Sequence, residues 1–334
     1  MDRRAVIETT LVPHTAFLNA KTRIEQCFFY GKSSPEPICI AIIGESRTGK
    51  SRLVEEVSEP WKKTRSKEGL YVPALRVKTP SKPTVKGLVT HMLKYMEDPN
   101  YDKGTEILKS IRLGTLMRNA GCQMIILDEF QHFYDRRRNT ISEEVADWLK
   151  IFVEEAKVSL VVAGLPNCKA VIDQNEQLSG RFVEPIKMPR FSWADDQSRD
   201  EFIGILDAFS QSMSNYFSIP DLADEDMAFR VYCATGGLVG YVSKLLRQAV
   251  WDACDEERTN ITLEALEEAH RKSLWKEWAI AGVSSPFSRV FALSPTSKVL
   301  ATVAKIGTAP EPEARERGTK LKAAKMTSSA ALGA

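Results

Sequence analysis

Short apolar runs recur along this chain, and the stretches between them carry apolar residues at helical spacing. The run Ile38-Cys-Ile-Ala-Ile-Ile43, closed by Gly44, has the length and branching of a buried strand. The same pattern predicts strands at 71–78 (YVPALRVK), 123–130 (QMIILDEF), 159–165 (SLVVAGL) and 183–188 (VEPIKM). Segments long enough for a helix separate these runs, so the order β-helix-β-helix predicts a parallel, doubly wound α/β sheet.

Ahead of the first strand, Phe17, Ile24, Cys27 and Phe28 fall near one helical face, and the breaker-rich run 31–37 ends that helix. Between the third and fourth strands, Thr140-x-x-Glu143 reads as a capping box. Val145, Trp148, Leu149, Phe152 and Val153 follow on one face. After Phe191 the strand signal stops. Four helical stretches follow at about 195–215, 221–234, 237–254 and 262–280, with Gly236-Gly237 as a break. Beyond 281 the chain turns rich in Ser, Pro, Thr and Ala, with scattered lysine and arginine, and predicts a mobile basic tail. The expected organisation is an N-terminal helical extension at 1–36, an α/β domain at 37–190, a small all-α domain at 191–280 and a flexible basic tail at 281–334.

Composition narrows the class. The chain has 334 residues, 43% of them hydrophobic, with 46 Lys+Arg against 44 Asp+Glu. That is enough apolar material for one large or two modest globular domains, and it is unlike a disordered or fibrous chain. A net charge of +2 means that contact with nucleic acid must come from local charge. The six cysteines lie too far apart for a zinc site or a disulfide framework. No apolar run approaches the roughly 20 residues that span a bilayer. A reducing, cytoplasmic setting without membrane contact is expected.

The chemistry lies at two strand ends. Gly44, Glu45, Ser46, Arg47, Thr48, Gly49, Lys50 and Ser51 fit G-x-x-x-x-G-K-[ST], directly after an apolar strand and before the helical pattern that opens at Arg52. Such a loop turns consecutive N–H groups and a helix N-terminus toward a phosphate. Lys50 would reach the β- and γ-phosphates of ATP, and Ser51 would ligate Mg2+. The strand Met124–Leu127 then delivers Asp128 and Glu129 to the carboxyl edge of the sheet, where ligands bind in open α/β folds. Asp128 suits the magnesium shell, and Glu129 suits polarising a water for attack on the γ-phosphate. Because strand 71–78 intervenes in sequence, another strand has room beside the P-loop strand, which favours a hydrolase over a small-molecule kinase. Arg181 stands just before the last strand, where ring-forming ATPases carry an arginine that completes the neighbouring subunit's site.

With GESRTGKS, IILDEFQHF and TGGLVGYVSKLLRQA in view, the sequence resembles the TniB/TnsC family of AAA+ transposition regulators over roughly residues 15–278. The resemblance implies ATP-driven assembly into homo-oligomeric rings or filaments around double-stranded DNA. It also implies a link between a TniQ-like target selector and TnsB-like transposase subunits, with a TnsA-like subunit as a further partner. It puts Lys50 and Ser51 in the P-loop roles, Asp128 and Glu129 in the Walker B roles, and Arg181 in the arginine-finger role. Two positions depart from the family pattern. The strand ending Gly164-Leu-Pro166 has no polar residue at the first-sensor place, with Asn167 nearest, and Tyr241 stands where many relatives carry a second-sensor arginine, leaving Lys244 or Arg247 as substitutes. Slow turnover, with ATP acting as an assembly switch, is the expectation.

A local charge excess marks the expected DNA face. Residues 61–86 carry Lys62, Lys63, Arg65, Lys67, Arg76, Lys78, Lys82 and Lys86 against Glu68 alone. By resemblance, the loop and helix after the second strand face DNA in the ring's pore, which points to Lys82, Lys86, Lys103 and Thr105. Arg136, Arg137 and Arg138 follow the acidic strand, placed to touch DNA or a neighbouring subunit. With few aromatics interleaved, backbone contacts indifferent to sequence are expected. Two other readings share these motifs: a helicase-loader or replication-initiation ATPase, and a scaffold NTPase that binds nucleotide without DNA.

Overall fold

Cys39–Ile43 forms β1, the strand that carries the P-loop. All five residues are buried: Cys39, Ala41 and Ile43 face one apolar layer, while Ile40 and Ile42 face the other. A strand covered on both faces needs such a continuous apolar run. The computed structural model of the chain describes residues 2–80, 84–135, 140–141, 143–173, 176–273 and 285–307.

Before β1 come α1 (Val6–Thr9) and α2 (Thr15–Gly31). After it come α3 (Lys50–Ser58), a hairpin of β2 (Thr64–Ser66) and β3 (Gly69–Tyr71), β4 (Ala74–Lys78), α4 (Val85–Tyr95), α5 (Glu106–Asn119) and β5 (Met124–Asp128). A small hairpin of β6 (Tyr134–Asp135) and β7 (Thr140–Ile141) leads to α6 (Glu143–Ala156), β8 (Ser159–Gly164), α7 (Asn167–Asp173), α8 (Glu176–Ser179) and β9 (Ile186–Lys187). The helical region comprises α9 (Asp196–Ser214), α10 (Glu225–Thr235), α11 (Val239–Asp255) and α12 (Leu263–Ser273), joined by α13 (Ser297–Val303).

The main sheet runs β4-β5-β8-β1-β9, with parallel pairing throughout. The strand expected beside the P-loop strand is β8, inserted between β1 and β5. Helices cover both faces: α4, α5 and α6 pack over Leu75, Val77, Ile125, Leu127, Leu160 and Val162, while α2 and α3 pack over Ile40, Ile42, Met124, Ile126, Val161 and Ala163. The fold class read from the sequence is the one observed.

Four expectations change. Residues 71–78 split, because Tyr71 ends the β2–β3 hairpin and only Ala74–Lys78 joins the main sheet. Of 183–188, only Ile186–Lys187 pairs as a strand. Thr140 does not cap α6, since its backbone is committed to the pairing with Asp135 and the helix begins at Glu143. The chain from 281 is not mobile over 285–307: Phe287, Phe291, Val303 and Ile306 are buried in the helical core, and Arg230 Nη1 donates to the carbonyls of Pro286 and Ser288. The tail beyond 307 lies outside the described residues, as do Trp275 and Trp278 of the expected last helix.

The first 36 residues do not stand apart. Val6 and Ile7 of α1 join the helical core, and α2 packs on the sheet, with Phe28 stacked on Trp61 at 3.9 Å between ring centroids. The N-terminal segment therefore straddles both halves of the chain.

Candidate nucleotide site

The backbone leaves β1 at Ile43 and turns at Gly44, where a Cβ would come within 2.6 Å of the Met188 carbonyl oxygen. Gly44 N–H donates to Gly164 O at the end of β8 (3.2 Å). The loop then enters the left-handed region twice, at Arg47 (φ 69°) and at Gly49 (φ 92°). A Cβ on Gly49 would meet nothing within 4 Å, so glycine is required there by backbone conformation rather than by space. Gly49 is also the N-cap of α3 and offers no side-chain acceptor, which leaves the first N–H groups of the helix for an anion.

Lys50 folds back over this loop. Its Nζ donates to the carbonyls of Gly44 (2.8 Å) and Glu45 (2.5 Å). Burial pulls its pKa below the usual lysine value, while Asp128 and Glu129 oppose that shift. The two acidic residues at the end of β5 are thus near enough to bear on the charge of the lysine. Thr48 is buried and donates to Glu45 O (2.9 Å), closing the loop from inside. Ser46, Arg47, Ser51 and Arg52 are exposed, and Arg52 approaches Glu55 at 3.8 Å.

At the end of β5, Asp128 is buried, and its Oδ1 accepts the Glu129 N–H (2.8 Å). Glu129 sits at φ 59°, uncommon for a residue with a Cβ. Its Oε2 accepts from Gln131 Nε2, and Gln131 Oε1 accepts the Leu165 N–H (3.2 Å). Gln131 was not singled out from the sequence, although a polar residue two positions past the acidic pair was a signal. His132 ties β5 to β4 through Thr79 O (3.0 Å). Asn167, the nearest first-sensor candidate, buries its Oδ1 without a partner. Cys168 is also near Lys50, but burial pushes its thiol up to about 12, so it is no nucleophile.

The helical region closes directly on the loop. Gly240 N–H, in the first turn of α11, donates to Arg47 O (2.8 Å), and the Arg47 guanidinium lies 5.7 Å from the centre of the Tyr241 ring. Arg190, also not singled out, binds three elements: Glu45 Oε2 (2.6 Å), Gly236 O (2.8 Å) and Ile306 O (2.8 Å). Arg247 is drawn to Glu8 (3.7 Å) and to the Trp251 ring, so it does not face the loop as a second sensor.

Arg181 occupies the opposite end of β1. Its carbonyl accepts the Cys39 N–H, and its guanidinium pairs with Glu154 at 2.9 Å. The length of β1, about 13 Å, separates it from the P-loop of its own chain.

The expected DNA residues fall in two groups. Lys86 opens α4, while Lys103 and Thr105 precede α5, Thr105 as its N-cap. The two helices run side by side, tied by Lys109 Nζ donating to Thr90 Oγ1 (2.7 Å) and by the Asp98–Arg112 pair (2.6 Å). Their N-terminal ends therefore point the same way. The basic excess over 61–86 is partly neutralised: Lys62 pairs with Glu59, and Lys63 and Arg65 both pair with Glu97. Lys82, Arg136, Arg137 and Arg138 lie outside the described residues. Among the described residues no helix is long and apolar enough to cross a membrane.

A P-loop and an acidic strand end separated by one inserted strand, under a helical lid, define a protein of the AAA+ architecture. The fold is similar to that of Cdc6p from Pyrobaculum aerophilum, at 12% identity and a TM-score of 0.61, covering 84% of this chain and 74% of that one. It is also similar to the Aeropyrum pernix ORC2 protein in ADPNP–ADP complexes (14%, TM-score 0.58, 81% and 72%). The Aeropyrum pernix ORC1 protein in complex with DNA is comparable (15%, TM-score 0.57, 80% and 69%). No curated protein matches the chain. Residues 4–193 match the family described as Bacterial TniB protein, and the chain belongs to that family. The match runs from the first short helix through β9 and stops where the helical region begins, so the resemblance seen over 15–278 extends past it.

Proposed function

We propose that this protein is an ATPase that regulates DNA transposition, assembling on duplex DNA when ATP is bound and linking a TniQ-like target selector to TnsB-like transposase subunits, with a TnsA-like subunit as a further partner. The observation that carries the reading is the convergence of Lys50, Asp128, Glu129 and the α11 N-terminus on one sheet edge, in a chain of the TniB family. Solved relatives of the fold include nucleotide complexes and a DNA complex, which supports the same ligands here.

The groups present fit a magnesium nucleotide. Asp128 is a buried carboxylate whose described neighbours include Lys50, and Ser51 follows at the helix start; magnesium needs only one or two protein oxygens besides phosphates and waters. When bound, the ion would neutralise charge developing on the β- and γ-phosphate oxygens. Lys50 would exchange its loop carbonyls for the phosphates, and Glu129 would take the proton of the attacking water. Arg181, remote from its own P-loop, would serve the next copy in a ring or filament.

Lys86, Lys103 and Thr105, with Lys82 and Arg136, Arg137 and Arg138, would meet the phosphate backbone without reading bases. A replication-initiator role is the second reading, favoured by the Cdc6 and ORC likeness; the TniB match over more than half the chain weighs against it. Sedimentation velocity with long duplex DNA tests the proposal. With a non-hydrolysable ATP analogue the account expects large, salt-sensitive complexes, and with Lys50→Ala it expects protomers. A wild-type chain that stays a protomer under saturating analogue and DNA contradicts it.

A further inference from the structure

Glu129 is held by an unusual arrangement. Its backbone lies in the left-handed region at φ 59°, and such positions persist only where surrounding contacts fix them. Asp128 Oδ1, which accepts the Glu129 N–H, and the His132 N–H, which donates to Glu129 O, hold that backbone, while the amide of Gln131, in the short 3-10 turn Phe130–Phe133, holds the side chain. Gln131 Oε1 accepts the Leu165 N–H at 3.2 Å, and its Nε2 donates to Glu129 Oε2. The backbone N–H decides the orientation of the amide, because only the oxygen end can meet a donor. The amino end is thereby committed to the carboxylate.

The amide also ties Glu129 to the P-loop. Leu165 follows Gly164, whose carbonyl accepts the N–H of Gly44, the first residue of the loop. Gly164 admits the amide because it has no side chain: a Cβ there would lie 2.7 Å from Gln131 Oε1 and 2.4 Å from Cys168 Sγ. An unbroken path of short contacts thus runs from Gly44 through Gly164, Leu165 and Gln131 to Glu129, crossing from β1 over β8 to β5. The carboxylate that Gln131 holds thus lies at the carboxyl edge of the sheet, the edge at which β1 passes into the P-loop.

We propose that Gln131 is a positioning residue for ATP hydrolysis: its amide, clamped to the backbone of β8, fixes the Glu129 carboxylate in register with the P-loop. Oε2 is engaged by the amide, and Oε1 is left to the attacking water. In the step it serves, the water oxygen forms a bond to the γ-phosphorus and its proton passes to Glu129. The bond from the γ-phosphorus to the β–γ bridging oxygen breaks, with the electron pair leaving on ADP. The inference rests on the ATPase reading above.

Steady-state ATP turnover of the full chain tests it, with nucleotide affinity measured separately. A general base is worth about 10²- to 10⁴-fold, and a misplacement of about 1 Å costs up to about 10²-fold. Gln131→Ala is therefore expected to lower kcat about 10- to 50-fold, with ATP affinity within about twofold of wild type. Gln131→Glu keeps an acceptor for the Leu165 N–H but sets a second carboxylate against Glu129, so it separates positioning from mere support of the turn. It is expected to lower kcat at least as far, again without loss of ATP affinity. In a Glu129→Gln background, Gln131→Ala is expected to add nothing, because residues that act as a unit are non-additive.

If Glu129→Gln abolishes turnover while Gln131→Ala or Gln131→Glu keeps or raises the wild-type kcat, the inference fails alone. It also fails if the Gln131→Ala loss multiplies with that of Glu129→Gln. If the wild-type chain binds ATP without turnover, or Glu129→Gln turns over at the wild-type rate, the ATPase reading falls and takes this inference with it.

Discussion

Replacing Arg190 with alanine removes one guanidinium that joins the P-loop, the Gly236 break and the segment after α13. Its side chain is 13% exposed, whereas its carboxylate partner Glu45 is 42% exposed. The ion pair is thus well solvated on one side and contributes less than about 1 kcal/mol. The bonds to the carbonyls of Gly236 and Ile306 come from a charged donor, at about 1.5 kcal/mol each. Arg190→Ala should therefore cost about 3 kcal/mol, and Glu45→Gln under about 1 kcal/mol. The share belonging to Ile306, about 1.5 kcal/mol, corresponds to roughly a tenfold rise in local opening of the segment it anchors. Limited trypsinolysis reads that opening directly, because Lys298, in the first turn of α13, and Lys305, just after the helix, are exposed. Where opening is fast relative to cleavage, the cutting rate follows the open population. Cleavage after Lys298 and Lys305 should rise about tenfold in Arg190→Ala and less than about threefold in Glu45→Gln. Equal cleavage in the two variants, or no change in Arg190→Ala, would refute the assignment of Arg190 as the anchor of this segment.

Two further outcomes follow from local geometry. Gly240→Ala gains about 0.5–1 kcal/mol of helix propensity, yet its Cβ would come 2.9 Å from Arg47 O. The melting temperature should change little while ATP affinity, measured by calorimetry, falls about tenfold; unchanged affinity would show that the α11–P-loop contact does not govern binding. Burial depresses the pKa of both His14 and His270, the former held against Phe17 and Phe191 with Nδ1 unpartnered. The folded state therefore prefers the neutral rings. Stability is fully present above the unfolded value of about 6.5 and is lost as pH falls from there toward the folded values, by up to about 1.4 kcal/mol per ring and pH unit. Thermal melts at pH 7.5 and 5.5 should show this decline, and His14→Phe should reduce it by the share of one ring, leaving that of His270.

The parallel sheet and the sheet edge that gathers the loop Gly44–Ser51 with Asp128 and Glu129 were legible because each rests on a local signal: a continuous apolar run, a glycine that must adopt positive φ, an acidic pair at a strand end. What escaped depends on tertiary approach. Arg190 is one basic residue in a loop, and nothing in its neighbourhood announces the carbonyls of Gly236 and Ile306, 46 and 116 residues away. Residues 285–307 read as a tail because Ser and Pro separate their apolar residues, yet Phe287, Phe291, Val303 and Ile306 fill a core that α9 to α12 leave open. Thr140 carried a sound capping pattern and lost it to a hairpin in which it pairs with Asp135, five positions back. The basic excess over 61–86 counted charges without their partners, and Glu59 and Glu97 lie just outside that window or beyond the next helix.

The most direct test of the account is calorimetric titration of ATP into the purified chain and into Lys50→Ala, each checked by its melting curve. The account predicts one site per chain for the wild type, and an affinity at least about 100-fold weaker in the variant once the lysine facing the β- and γ-phosphates is gone. A folded Lys50→Ala that binds ATP as tightly as the wild type would contradict it.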